Sequence, residues 1–267
     1  MITTKIDDKT VRHEEIEKVC HGLIIKRYPS GHRHSQAKFV EGEPEGSYLI
    51  WHENGQLKSR YMYRCGMMCG VVKHYHENGV QEIEETYVDG LLEGEYREWN
   101  SKGMCTHHST YTDGLCEGLT TEWYDDGNLK SKVHYIDGLR TGQLLGYGNN
   151  GRLSELTTYE KGEREGVMNT FYGSGDKKSE SYYLNNKLEG MKLVWFENGR
   201  ISSIESYYRG LRNGKSTEFD TRGARVVEDN FKSGKLNGCS RLWNNSRELI
   251  MEELYADGML IGNQSDD

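Results

Sequence analysis

A 24-residue phrase recurs from near the start of this chain to its end, and that period limits the possible folds more than any other feature. The copy Tyr87-Val-Asp-Gly90-Leu-Leu-Glu-Gly94-Glu-Tyr-Arg-Glu-Trp99-Asn-Ser-Lys-Gly103 has five marked positions, Tyr87, Gly90, Gly94, Trp99 and Gly103. The copy before it supplies Tyr63, Gly66, Gly70, Tyr75 and Gly79, and the copy after it Tyr111, Gly114, Gly118, Trp123 and Gly127. The first aromatic holds in all ten copies, from Phe39 to Tyr255. The first glycine is replaced once, by Asn186, and the third once, by Arg247, while the second runs unbroken from Gly22 to Gly262. These positions absorb 29 of the 32 glycines, so glycine here is placed in register and does not mark linkers.

The residue types explain what is repeated. Asn-Gly and Asp-Gly pairs between short apolar-polar runs supply the positive φ that hairpin turns demand. Asn is the usual non-glycine residue at positive φ, so Asn186 in a glycine position supports a left-handed backbone there. Each repeat then holds two short strands and two turns: Ser47 to Trp51, a turn at His52-Glu-Asn-Gly55, and a returning strand from Gln56 to Tyr63. The fold class expected is all-β: an elongated antiparallel β-hairpin array of about ten 24-residue repeats forming one long twisted sheet. The second glycine is expected to lie beside an aromatic ring, the pairing known as aromatic rescue.

Residues 1–20 fall outside the period and read as a leader or cap, with a short helix capped by Thr10 as one form it takes. The array is expected over 21–262, followed by an acidic tail at 263–267. No apolar run approaches the roughly 20 residues that span a bilayer, and the N-terminus lacks the apolar stretch of a signal peptide. A cytoplasmic or otherwise intracellular protein is expected. The net charge of −8 and the seven carboxylates against one arginine between Glu82 and Glu98 argue against nucleic acid and against anionic membranes. The 6 cysteines have no framework spacing and read as reduced thiols.

The phrase Tyr-x-x-Gly-x-x-x-Gly-x4-aromatic-x3-Gly resembles the MORN repeat, in particular its 24-residue variant in bacterial YwqK-like proteins described as antitoxins and in giant DNA viruses. The resemblance covers about residues 22–262. It implies a stacked hairpin array acting as a scaffold or protein-binding surface, with no catalytic residues and no cofactor. If the source is viral, a virion or viral factory is the implied location. Toxin neutralisation is the alternative function that the resemblance implies. Phospholipid binding ranks below it, because the chain lacks the additional Gly-x-Gly pair of the commoner MORN pattern and is acidic.

Several clusters invite a chemical reading. Cys65 and Cys69 on one turn with His74 and His76 on the next strand form the best metal candidate, though the cysteines fall at variable turn positions and His76 shares its phase with His52 and Asn100. The expectation is no metal. His107-His108-Ser109 hints at a base and nucleophile, but neighbouring strand residues face opposite ways. Asp125-Asp126-Gly127-Asn128 lacks the spacing of a calcium loop and reads as a turn. The tryptophans at 51, 99, 123, 195 and 243 are in phase and read as structural core. Function is therefore expected at positions that vary between copies, such as Leu91, Glu93, Glu95, Arg97 and Glu98, with a protein partner and self-association through the sheet ends.

Overall fold

The computed structural model describes residues 21–264. The expected leader and its helix at 1–20, and the last three residues of the tail, lie outside the described residues. Among the described residues there are 25 strands, from Gly22–Arg27 to Met259–Gln264, and no helix. The last strand carries the array two residues beyond the expected boundary at 262. Two units are present: the first holds residues up to 128 together with 135–138, the second 129–134 and the rest. The pairings inside them are antiparallel and join strands that follow one another in sequence or are separated only by a two-residue strand.

In the first unit, Glu43–Trp51 pairs with Leu57–Arg64, and Gly70–Tyr75 with Gln81–Val88. The tight turn before each outgoing strand has two residues at positive φ: Cys65 and Gly66 at 49° and 76°, Asp89 and Gly90 at 48° and 83°, Asp113 and Gly114 at 49° and 78°. That is the type I′ geometry whose twist matches the flanking strands, and it explains the Asp-Gly pairs. At the other end a longer turn closes with Gly79 N–H donating to the His76 carbonyl at 2.9 Å, Gly79 itself sitting at φ 83°. The second glycine lies directly opposite the first aromatic of the following repeat, Gly46 against Tyr63 and Gly70 against Tyr87. The two residues are register partners as expected, and the requirement for glycine comes from the backbone. Gly46 adopts φ 78° beside a shift of register between Ala37 and Lys38, and a Cβ there would meet nothing within 4 Å.

The second unit repeats this arrangement, with Gly166 opposite Tyr183 and Gly190 opposite Tyr207. Asn186 takes the glycine position at φ 62°, as its residue type led us to expect. Arg247 takes the other at φ 68°.

The packed interior is mostly small and polar. Val72, Ser59 and Ser109 are sealed in the first unit and Thr157 in the second, and Ala37 and Val133 are the other buried hydrophobics. The tryptophans correct the core reading: all five are half-buried. Arg33 lies over Trp51 at 5.0 Å, Lys177 over Trp195 at 5.6 Å and Arg225 over Trp243 at 5.2 Å, so a cation covers one face of three of the five rings.

Candidate functional site

The repeat builds two ladders of bonds that run from each repeat to the next, and these decide which side chains are spent on the fold. On the type I′ side, the turn glycine donates its N–H to a carbonyl of the preceding repeat, Gly90 to Met68 at 2.9 Å and Gly234 to Arg212 at 2.8 Å. The residue before the second glycine adds a side-chain acceptor to the next turn. Asp113 N–H donates to Glu93 at 2.9 Å, Asp137 N–H to Glu117 at 2.9 Å and Arg209 N–H to Glu189 at 2.8 Å. Asn213 and Asn237 accept in the same way from Ser233 and Asp257. Glu93 is thus a member of the scaffold, a correction to its reading as a variable recognition residue. Leu91, 51% exposed, is left open.

On the other side, the turn asparagine works twice. Asn54 and Asn78 accept from a backbone N–H two residues on and donate to the next repeat, to Glu77 and Ser101 carbonyls at 2.8 and 2.7 Å. His52 Nε2 lies 2.8 Å from the Tyr75 carbonyl, and His76 Nε2 2.8 Å from that of Trp99.

The four metal candidates are consequently separated in role. His76 ties one repeat to the next, Cys65 is an exposed turn residue, and Cys69 is half-buried. His74 Nδ1 lies 3.0 Å from Ser59 Oγ, its Nε2 3.5 Å from Glu85, and its ring 5.5 Å from that of Tyr61. Among the described residues no three potential ligands converge.

His107 and Ser109, two residues apart, share a face: Nε2 lies 3.0 Å from Oγ, and Nδ1 3.9 Å from Glu122. The order of groups is that of an acylating relay. Ser109 is 0% exposed, however, so no substrate reaches its oxygen. Asp126 accepts from the Asn128 backbone and side chain at 3.0 and 3.1 Å, the bonding of a turn.

What remains is a row of tyrosines on one face of the first unit. Tyr61 and Tyr63 lie 6.4 Å apart, and Tyr96 and Tyr111 5.9 Å apart. Carboxylates thread the row. Tyr96 donates to Glu98 at 2.5 Å, and Tyr87 bonds Glu85, whose side chain is 14% exposed. Burial pushes the Tyr87 phenol up to about 12, helped by the charge of Glu85 and the bond to it. Burial, then the Glu98 bond and charge, raise Tyr96 still further.

The second unit treats its rings differently. Arg140 lies over Tyr159 at 5.6 Å, Arg164 over Tyr183 at 4.5 Å and Arg212 over Phe231 at 5.2 Å. Arg212 is held on its other sides by Glu205 at 3.1 Å and by the Tyr207 hydroxyl, with the charge of Glu218 beside it. Tyr207 in turn donates to Glu205 at 2.6 Å. Sequence reasoning missed this set because its members lie on four different strands and only the aromatics belong to the repeat.

No curated protein sequence matches the chain. Among solved structures, the crystal structure of TcdB2-TccC3 is similar at 11% identity and a TM-score of 0.21, over 86% of this chain and 15% of that one. The TcdB2-TccC3-Cdc42 structure gives 11% and 0.20 over 88% and 15%, and a Photorhabdus luminescens Tc holotoxin pore 11% and 0.20 over 86% and 15%. The chain therefore spans about 15% of the length of these structures. At the level of families, residues 44–64, 68–89 and 117–137 match the MORN repeat variant.

Proposed function

We propose that the chain is a non-enzymatic repeat scaffold that binds a protein partner through the side chains its repeat leaves free. One observation carries this reading: the repeated residues are consumed by turns and by bonds to the adjacent repeat. Glu93 is held by the Asp113 turn, Asn78 by Ser101 and His76 by Trp99. Beside the repeated Tyr63, Tyr87 and Tyr111, the face of the first unit carries Tyr96, a variable position that those inter-repeat bonds do not use. Similarity of three stretches to the MORN repeat variant supports a scaffold as well.

Affinity purification from the source cells, followed by crosslinking and mass spectrometry, tests the proposal. A stoichiometric protein partner crosslinked to the first unit is the expected result. Recovery of the chain alone, together with turnover of a small molecule by it, overturns the proposal.

A further inference from the structure

The cage around Arg212 has a second copy that lacks its arginine. Each of its members recurs 120 residues earlier, which is five repeats: Glu205 becomes Glu85, Tyr207 becomes Tyr87, Glu218 becomes Glu98 and Phe231 becomes Tyr111. Arg212 itself becomes Leu92. The strand register is the same in both places. Tyr207 pairs with Arg212 across its strand pair, as Tyr87 does with Leu92. The ring ahead is also matched: Phe231 lies opposite Gly214, and Tyr111 opposite Gly94.

We propose that Glu85, Tyr87, Glu98 and Tyr111 form a receptor for one arginine side chain of a partner protein, seated as Arg212 is seated in its own cage. The proposal rests on the scaffold reading and deepens it by naming the chemistry recognised.

Three features select a guanidinium. Glu85 and Glu98 both act on Tyr96, which stands where the second unit has Ser216 and donates to one oxygen of Glu98, so the set offers the remaining carboxylate oxygens and three phenol rings to a flat cation. The corresponding set in this chain binds a guanidinium, with an ion pair at 3.1 Å and a ring centroid at 5.2 Å. Among the described residues no lysine or arginine is recorded over Tyr63, Tyr87 or Tyr111, whereas the second unit places one over Tyr159, Tyr183 and Phe231. The adjacent repeats do not reproduce the site. At the Glu85 position they carry Tyr61 and Ser109, and at the Glu98 position His74 and Glu122, so both carboxylates meet at Leu92 alone among these three.

The probe is a capped pentapeptide of glycines around one arginine, titrated into the full-length chain and followed by NMR of the tyrosine rings. Identical peptides carrying lysine or citrulline are the comparison. Saturable shifts at Tyr87 and Tyr111, at least tenfold weaker for the lysine and citrulline peptides, are expected. Leu92→Arg should fill the site from within and abolish binding, and the second unit shows that the repeat accepts arginine at this position. Leu92→Met, which adds no cation, should keep full affinity, while Glu85→Gln should weaken binding at least fivefold. Equal affinity for the three peptides, no saturable shift, or undiminished binding by Leu92→Arg overturns the proposal. Partner capture that survives Leu92→Arg would overturn this site while leaving the scaffold reading intact.

Discussion

At the scale of single residues, the size of the positive φ separates the positions: near 50° the repeat admits Cys65, Asp89, Lys161 and Arg209, whereas at the more open angles of the next residue it holds glycine almost throughout. Left-handed backbone costs an L-residue roughly 1–2 kcal/mol relative to glycine, with Asn penalised least. Asn186 at φ 62° is thus a tolerated exception, whereas Arg247 at φ 68° is a strained one. The turn around Arg247 keeps its bonds, with Arg247 N–H donating to Asn244 at 2.9 Å. Arg247→Gly relieves the strain without removing a contact, so it should raise stability by about 1 kcal/mol, less the entropy that glycine adds to the unfolded chain. Urea denaturation reads this directly, and an unchanged or lowered midpoint would mean the turn is not strained. Tyr87 makes a second residue-level prediction. Its phenol titrates at about 12 when folded, against roughly 10 when unfolded. The folded state keeps its proton longer, so this contribution is whole below about pH 10 and is lost as pH rises through about 12. Tyr87→Phe should therefore flatten the alkaline loss of stability between those limits, measured as the denaturation midpoint against pH.

At the scale of strands and turns, one repeat is locked to the next by a carboxylate or amide oxygen placed before the second glycine. Glu117 accepts from the Asp137 backbone at 2.9 Å, and Asn237 does the same for Asp257 at 3.3 Å. Because Asn serves where Glu serves, the bond needs an oxygen and not a charge. Glu117→Ala should cost about 1 kcal/mol, the ordinary net value of such a bond, and Glu117→Gln should recover most of it. Equal losses for Ala and Gln in urea titrations would refute that account. This position also marks how far the sequence was legible. The turn glycines, the two aromatics and the all-β array follow from period and residue type, because each is fixed by its own backbone angle or strand. Glu93 was not legible as structural, because its partner is the backbone N–H of Asp113, twenty residues on, and backbone groups leave no trace in residue identity. The tyrosine cage was hidden for a related reason: Glu85 and Glu98 are placed beside Tyr87 and Tyr111 only by cross-strand register.

At the scale of whole units, charge and periodicity make separate predictions. In the second unit, burial alone would raise the Glu228 carboxyl, but the bond and charge of Lys215 and the charges of Arg225 and Arg241 outweigh it and hold the group below the usual glutamate range. Glu205 is lowered in the same way, burial being outweighed by Tyr207, Lys192 and Arg212. A lowered carboxyl contributes stability above its unfolded value of about 4.3 and loses it as pH falls through the folded value. Acid should therefore weaken the second unit below about pH 4.3, and Glu228→Gln should lessen that loss, read as the urea midpoint against pH. Periodicity predicts more. Repeat arrays are stabilised by neighbour contacts, so a whole repeat should be removable where its neighbours present matching registers. Deleting residues 163–186 joins Gly162 to Lys187 and keeps both the Lys161-Gly162 turn and the Glu189 bond to the Arg209 N–H. The Gly162 N–H still donates to the Arg140 carbonyl, and the Gly210 N–H to that of Leu188. Deleting 163–174 instead joins Gly162 to Gly175, removes an outgoing strand and leaves the returning strand Lys177–Leu184 running the wrong way for its neighbour. The shorter deletion should thus be the more damaging one. Far-UV circular dichroism and urea titration should show a cooperative β fold after the 24-residue deletion and its loss after the 12-residue deletion. Equal survival, or the opposite order, would mean that the repeats are not coupled in the way their bonds indicate.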